Sequence, residues 1–253
     1  MKVMRKTPVS LAILVLSLLM TDRVQAQDST AAIRAFVQKI QNAYYKAPYL
    51  GFRIKYRYAN ERQPGLYIDS LAGEVEMDKG RSRLAIAGTE TVLTGRYAIQ
   101  IVPEDKLMYL GAGHPAVIQN PLPMLDSLFA HIEGIRTVLE HTEISDQLTL
   151  DFPPGQPFYR LQIAIDNRTG FIRRVEYALS TAGLVGQDMI QRPGHPAPYE
   201  SRGRIEILFS DYEHGRFDDR MFKEENFFTK ADGRYLPAGR YKDYHIYLAS
   251  SNL

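Results

Sequence analysis

Residues 50–58 read Leu-Gly-Phe-Arg-Ile-Lys-Tyr-Arg-Tyr, and this stretch decides the fold. Its aromatic and apolar residues Phe52, Ile54, Tyr56 and Tyr58 alternate with residues that are mostly cationic. A period of two is typical of a β-strand that buries one face and leaves the other in solvent. The stretch therefore predicts a half-buried strand, from which the rest of the fold can be worked out in both directions.

Similar short stretches follow this strand and predict a sheet. Turn signals such as Asp78-Lys79-Gly80 and Asp166-Asn167-Arg168-Thr169-Gly170 separate them, and short strands joined by tight turns form antiparallel sheets. The fold class expected is mainly antiparallel β (α+β), with about ten or more strands. The further strands are expected at residues 71–77, 83–87, 90–94, 97–102, 106–110, 136–141, 147–152, 159–165, 171–179, 203–209 and 241–248.

Two amphipathic helices are expected beside the sheet. The first runs from a cap at residues 28–30 to about Tyr45, and the second begins at Asn120, with Pro121 as a favourable first residue, and ends by Gly134. Each has one apolar face that must pack against something apolar. The apolar residues are Ile33, Phe36, Val37, Ile40 and Tyr44 in the first helix and Leu122, Leu125, Leu128, Phe129 and Ile132 in the second.

Residues 1–26 have the three parts of a secretory signal peptide: a basic start, an apolar stretch at 9–20, and Val24-Gln25-Ala26 as a cleavage signal. The apolar stretch is shorter than the roughly 20 residues that cross a bilayer as a helix. We therefore expect a cleaved leader and a single mature domain at 27–253. That domain is expected in the periplasm, without a transmembrane span.

Composition excludes several classes of function. The chain has 0 Cys, so disulfides and zinc sites built on thiolates are excluded. Without the four basic residues and one acid of residues 1–26, the mature part carries 27 basic and 28 acidic residues out of totals of 31 and 29. This balance gives no electrostatic reason to expect nucleic acid as a partner.

No motif for catalysis or cofactor binding occurs, so we expect a protein that is not an enzyme and has no cofactor. His195 and His214 are the least implausible metal ligands, although solvated loop positions fit both better. Asp218-Asp219 and Glu224-Glu225 are adjacent carboxylates, whose side chains diverge too much for glycosidase chemistry. We expect the aspartates to cap a turn leading to Phe222 and the glutamates to be solvated. A hydrolase would need His, Asp and Ser to converge from distant parts of the chain.

Residues 180–201 contain several glycines and prolines and little periodicity. At this length such a segment is either a functional lid or a mobile loop. The sequence favours the mobile loop.

The order of elements resembles the outer-membrane lipoprotein carrier family, with the LolA/LolB-like fold. The stretches that carry the resemblance are residues 49–54, 71–75, 83–88 and 166–172. The resemblance implies an unclosed β-barrel, or half-barrel, with helices packed on its concave side and an apolar inner face that holds acyl chains. The controlling arginine that this family has inside its cavity has no counterpart that can be placed here.

Apolar strand residues are the candidates for the lining of such a cavity, and in a closed protein the same residues are simply core. They are Phe52, Ile54, Tyr56, Leu84, Ile86, Ile99, Ile101, Leu161, Ile163 and Ile165. The expected function is a periplasmic carrier that binds an acyl chain, the lipid moiety of a lipoprotein or another amphipathic ligand, with a membrane-associated protein as a further partner. The alternative is a periplasmic scaffold whose half-barrel is filled by its own side chains and which binds a protein by its surface.

Overall fold

The computed structural model describes residues 31–113, 133–186, 189–190 and 198–249. The expected signal peptide, nearly all of the second predicted helix, and His195 lie outside these residues. Residues 31–46 form helix α1, whose predicted apolar face is confirmed: Phe36, Val37, Ile40 and Tyr44 are buried.

Fourteen strands follow within the described residues, and most of the predicted strands are among them. Three of them, at residues 49–60, 67–78 and 202–214, are longer than predicted because each has a long neighbour that supplies backbone partners. The strands are β1 Tyr49–Asn60, β2 Tyr67–Asp78, β3 Arg81–Ile86, β4 Thr89–Leu93, β5 Tyr97–Val102, β6 Leu107–Ala112, β7 Arg136–His141, β8 Ser145–Asp151, β9 Phe158–Asp166, β10 Ile172–Ser180, β11 Arg202–His214, β12 Phe228–Ala231, β13 Arg234–Pro237 and β14 His245–Leu248.

Twelve strands form one sheet in the order β14-β6-β5-β4-β3-β2-β1-β11-β10-β9-β8-β7. All neighbours are antiparallel except β14, which pairs parallel with β6. Strands β1 to β6 and β7 to β11 are two meanders joined where β1 pairs with β11. The two edge strands do not pair with each other, so the sheet is an unclosed half-barrel, and the expected fold class is confirmed.

The main core lies between α1 and the sheet face that α1 covers, which we call the helix-side face. Buried residues from β1, β2, β8 and β9 meet the helix there, including Leu50, Val75, Leu148 and Ile165. Since this core draws residues from both meanders, α1 packs across the junction of β1 and β11.

A second core lies on the opposite, outer face. Residues 215–249 fold over strands β4 to β6 and bury Phe222, Phe227, Phe228 and Tyr241 against Val92 and Met108. Strands β12 and β13 form a separate hairpin in this segment, and neither strand was predicted from the sequence. The last predicted strand is also shorter than expected, because Tyr241 belongs to a 3-10 turn and stacks on Phe227 at 5.6 Å.

Candidate functional site

The helix-side face consists of rows of side chains that run across the strands. Directly paired residues of neighbouring antiparallel strands lie on the same face. One row therefore joins Leu71, Tyr56, Ile207, Val175 and Ile163. The next row joins Tyr58, Ile205, Tyr177, Leu161 and Leu150. The face is thus continuous and apolar across the centre of the sheet.

Eight of the ten predicted lining residues lie on or against this face. Phe52, Ile54, Leu161, Ile163 and Ile165 are buried in the main core, and Tyr56, Leu84 and Ile86 pack against it while partly exposed. The structure therefore brings these eight together. Neighbouring side chains fill the space around the five buried residues, as they do around any core residue.

Ile99 and Ile101 lie elsewhere, and the expectation that they share this face is wrong. Both are fully buried in the second core on the outer face. Their strand partners show why: Ile99 pairs with Val92, whereas the helix-side residue Leu84 pairs with Thr91 and so with Gln100. Strand β5 thus turns its even-numbered residues to the helix side.

Polar contacts of Tyr44 and Lys39 hold α1 on the helix-side face. The hydroxyls of Tyr44 and Tyr212 lie 2.9 Å apart, and Tyr212 donates to the carbonyl of Ile172 at 2.6 Å. Lys39 donates to Asp146 of β8 at 2.8 Å. Because these contacts reach β8 and β11, the helix is fixed to the second meander as well as packed on the first.

Away from the helix, the same face is only half covered. Tyr56, Tyr177, Ile205 and Ile207 are intermediate in exposure, and Leu71, which pairs with Tyr56, is 44% exposed. We call these five residues the half-exposed band. Phe158 extends it at the end of β9, where its ring lies 5.8 Å from that of Tyr177 and the residue is 39% exposed.

Among the residues of this band, only Tyr56 was predicted from the sequence to line the cavity. Leu71 and Tyr177 were within predicted strands, and their alternation with polar or small neighbours was the signal that could have found them. What the sequence lacks is the position of the helix, which decides how much of the face stays exposed.

The tyrosine hydroxyls of this face differ in their partners. Tyr58 bonds to Thr181 Oγ1 at 2.9 Å in a buried position. The hydroxyls of Tyr56 and Tyr177 have no hydrogen-bond partner among the described residues. Burial raises the pKa of Tyr56, and burial together with the nearby Tyr56 raises the pKa of Tyr177. Both phenols therefore stay neutral donors at ordinary pH.

Described parts of the segment 180–201 are attached to the sheet. Thr181 is fully buried through its contact with Tyr58. Asn60 donates to the carbonyl of Pro198 at 3.0 Å and accepts from the backbone of Glu200 at 2.9 Å. The lid and the mobile loop both remain predictions, since residues 187–188 and 191–197 lie outside the described ones.

The carboxylates and the histidine that were considered for catalysis or metal binding contact other parts of the protein, as far as they belong to the described residues. Asp218 caps the 3-10 turn Asp219–Phe222 and accepts from the backbone of Arg220 at 3.0 Å, as predicted. Glu224 accepts from Thr94 at 3.0 Å and so is more than a solvated carboxylate. The ring of His214 lies 5.7 Å from that of Phe171.

The described residues form neither a metal site nor a membrane-spanning helix. In residues 31–113, 133–186, 189–190 and 198–249, no three His, Asp or Glu side chains are grouped so that they could hold a metal ion. Within the same part of the chain, no helix is long and apolar enough to cross a membrane.

Open clefts also occur outside the half-exposed band. One of about 590 Å³ lies between the end of α1 and the β2–β3 turn, with Tyr44, Tyr45, Met77 and Lys79 among its lining residues. Another, of about 690 Å³, has charged residues of β1 to β4 in its lining, among them Arg53, Glu74 and Arg83. The second cleft also includes Ile54 and Ile86, which lie on or against the helix-side face.

No family model and no curated protein matches the sequence, but solved structures are similar to it. An uncharacterized conserved protein from Thermus thermophilus shares 9% identity over 86% of this chain and 99% of its own, with a TM-score of 0.47. A LolA superfamily protein from Nitrosomonas europaea shares 11% over 77% and 98%, with a TM-score of 0.34. The lipoprotein LppX of Mycobacterium tuberculosis shares 12% over 75% and 99%, with a TM-score of 0.38. In all three comparisons the sequence identity is low and the TM-score is below 0.5.

Proposed function

We propose that the mature chain, residues 27–253, is a periplasmic binding protein without catalytic activity that holds an acyl chain on the half-exposed band. The ligand is a fatty acid, the lipid moiety of a lipoprotein or another amphipathic molecule. The observation that carries the proposal is the continuity of the band with the main core. Tyr56, Leu71 and Ile207 lie side by side on one face and remain in part open to solvent.

The energetics favour an apolar ligand at this place. A contiguous apolar patch on a soluble domain commonly marks a binding surface. Burying one methylene group contributes about 0.8 kcal/mol, or close to a fourfold gain in affinity. A chain laid across the two rows of the band would therefore bind without any specific polar contact.

The exported location rests on the sequence of residues 1–26, with its basic start, apolar stretch and cleavage signal. The proposed absence of catalysis also agrees with the structural roles of two carboxylates that were considered for catalysis. Asp218 and Glu224 are engaged in holding the C-terminal segment in place.

The test is isothermal titration calorimetry of the mature protein with lauric, myristic and palmitic acids below their micelle concentrations. We expect affinity to rise with each added methylene. Leu71→Asp should weaken binding at least about tenfold, because it places a charge in the band. Leu236→Asp is the matched control, since Leu236 is similarly exposed, at 48%, but lies on the separate hairpin β12–β13.

Two results would overturn the proposal. One is the absence of binding for all three acids, which favours the self-filled scaffold that binds a protein by its surface. The other is equal weakening by Leu71→Asp and Leu236→Asp, which would place the ligand away from the band.

A further inference from the structure

We propose that the hydroxyls of Tyr56 and Tyr177 bind the polar end of the ligand. The ligand class is thereby narrowed to acyl compounds whose chain ends in a hydrogen-bond acceptor, a carboxylate or an ester carbonyl. This inference rests on the proposed function and adds a polar anchor to it.

The two tyrosines lie on the same face, on either side of strand β11. Tyr56 pairs with Ile207 of β11, and Tyr177 pairs with Ile205 of the same strand. Ile205 and Ile207 are two residues apart and so lie on one face. The two rings therefore flank a single strand at diagonal positions, with Ile205 and Ile207 forming the apolar floor between them.

Both hydroxyls lack a partner within the described part of the chain, although their surroundings are apolar. No buried side-chain oxygen or nitrogen among the described residues lacks a hydrogen-bond partner, so both hydroxyls remain within reach of solvent and hence of a ligand. Tyr58 shows the opposite case on the same face, because its hydroxyl is bonded to Thr181 at 2.9 Å. The pair Tyr56 and Tyr177 thus presents two donors that a bound acceptor could satisfy.

The protonation state of the pair suits an acceptor, including an anionic one. Burial raises the pKa of both phenols, and for Tyr177 the nearby Tyr56 raises it further. Each hydroxyl consequently keeps its proton at neutral pH and can donate it in a hydrogen bond. A hydrogen bond to a charged acceptor is stronger than one between neutral groups.

The test compares Tyr56→Phe/Tyr177→Phe with the wild type in fluorescence titrations of three probes: pyrenedecanoic acid, its methyl ester and decylpyrene. The first two carry an acceptor, and the third has only the apolar tail. We expect the double variant to bind pyrenedecanoic acid about tenfold or more weakly, as the loss of hydrogen bonds to a charged group predicts. Its affinity for decylpyrene should be unchanged, because the apolar floor is intact.

Tyr58→Phe is the matched control. It removes a hydroxyl from the same face, but one that already has a protein partner. We expect this variant to be less stable to urea and to bind all three probes like the wild type.

The outcomes separate the two proposals. Equal affinity of the double variant and the wild type for the acid and the ester overturns the anchor, and so does an equal loss for all three probes. If no probe binds the wild type, the proposed function itself fails. If the double variant loses affinity only for the acid, the ligand is a free fatty acid. If it loses affinity for the acid and the ester alike, the ligand is an ester-linked lipid.

Discussion

Lys39 of helix α1 donates a hydrogen bond to Asp146 of β8, with 2.8 Å between Nζ and Oδ2. The other carboxylate oxygen of Asp146 lies 2.9 Å from Nδ1 of His141. Burial alone would raise the pKa of Asp146, but the hydrogen bonds from Lys39 and His141 outweigh it, and the pKa lies below its usual value. The carboxylate is thus held ionised at the point where the helix meets the second meander.

Asp146→Asn should lower the free energy of unfolding at pH 7 by roughly 1–2 kcal/mol, because a hydrogen bond to a charged group is lost. A carboxyl whose folded-state pKa is depressed stabilises the fold above its unfolded pKa and loses that contribution as pH falls through the folded value. The deficit of the variant should therefore shrink below about pH 4. Urea denaturation at pH 7 and pH 3 measures it. Asp105→Asn, in an exposed turn, is the control, and an unchanged deficit at pH 3 would contradict the prediction.

The buried Tyr44 and Tyr212 predict sensitivity to alkali. Burial raises the pKa of Tyr44 to about 12, and burial and the neighbouring Tyr44 also raise the pKa of Tyr212. Stability from a group with a raised pKa is complete below its unfolded value, here 10.0, and is lost as pH rises through the folded value. Tyr44→Phe should cost about 1 kcal/mol at pH 8. It should then lose less stability than the wild type between pH 8 and pH 11 in chemical denaturation, and an equal loss would count against a buried phenol at this position.

Gly203→Ala should displace Tyr58. A Cβ at residue 203 would lie 2.5 Å from Cζ of Tyr58, which crosses over Gly203 to reach Thr181. We expect a loss of roughly 2–3 kcal/mol in urea denaturation, from strain and from a buried hydroxyl left unpaired. Gly183→Ala is the control, because nothing lies within 4 Å of a Cβ there. Equal stability of the two variants would mean that Tyr58 is not held over Gly203.

Phe222→Ala tests whether the two cores are independent. Phe222 is 2% exposed in the second core, and the guanidinium of Arg81 lies 4.8 Å above its ring. The cavity should cost about 3–5 kcal/mol. Hydrogen exchange should accelerate in residues 217–249 and strands β4 to β6, and stay slow in α1. Equal acceleration in α1 would show that the cores unfold as one unit.

Alternation within each strand was sufficient to predict most of the sheet, since a period of two is set by backbone geometry alone. It states which residues share a face but not which face the helix covers. Strand β5 shows the limit, because its apolar residues Ile99 and Ile101 point to the outer face, where residues 215–249 form a core that no local pattern predicts.

The hairpin β12–β13 was also not predicted, although the residues that indicate its turn are adjacent in the sequence. Asp232 and Gly233 have positive φ values of 50° and 75°, as a two-residue turn between antiparallel strands requires. Asp-Gly is the dipeptide that such turns prefer, so the turn could have been found in the sequence. The exposure of Leu71 could not have been predicted from the sequence, since it depends on how far α1 extends over the sheet.

The pairing of β1 with β11 has a consequence for how the molecule forms. Asn60 pairs with Gly203 and Leu50 with His214, so the partners are 143 to 164 positions apart in the chain. Most other neighbours within the two meanders are joined by short turns and can form locally, whereas this pair requires closure of a long loop, which slows folding. Until β11 arrives, β1 exposes one row of free backbone groups, and α1 has only half of its surface to pack on. We therefore expect the junction to form late in folding, and with it the band proposed to hold an acyl chain, which takes residues from both sides of the junction.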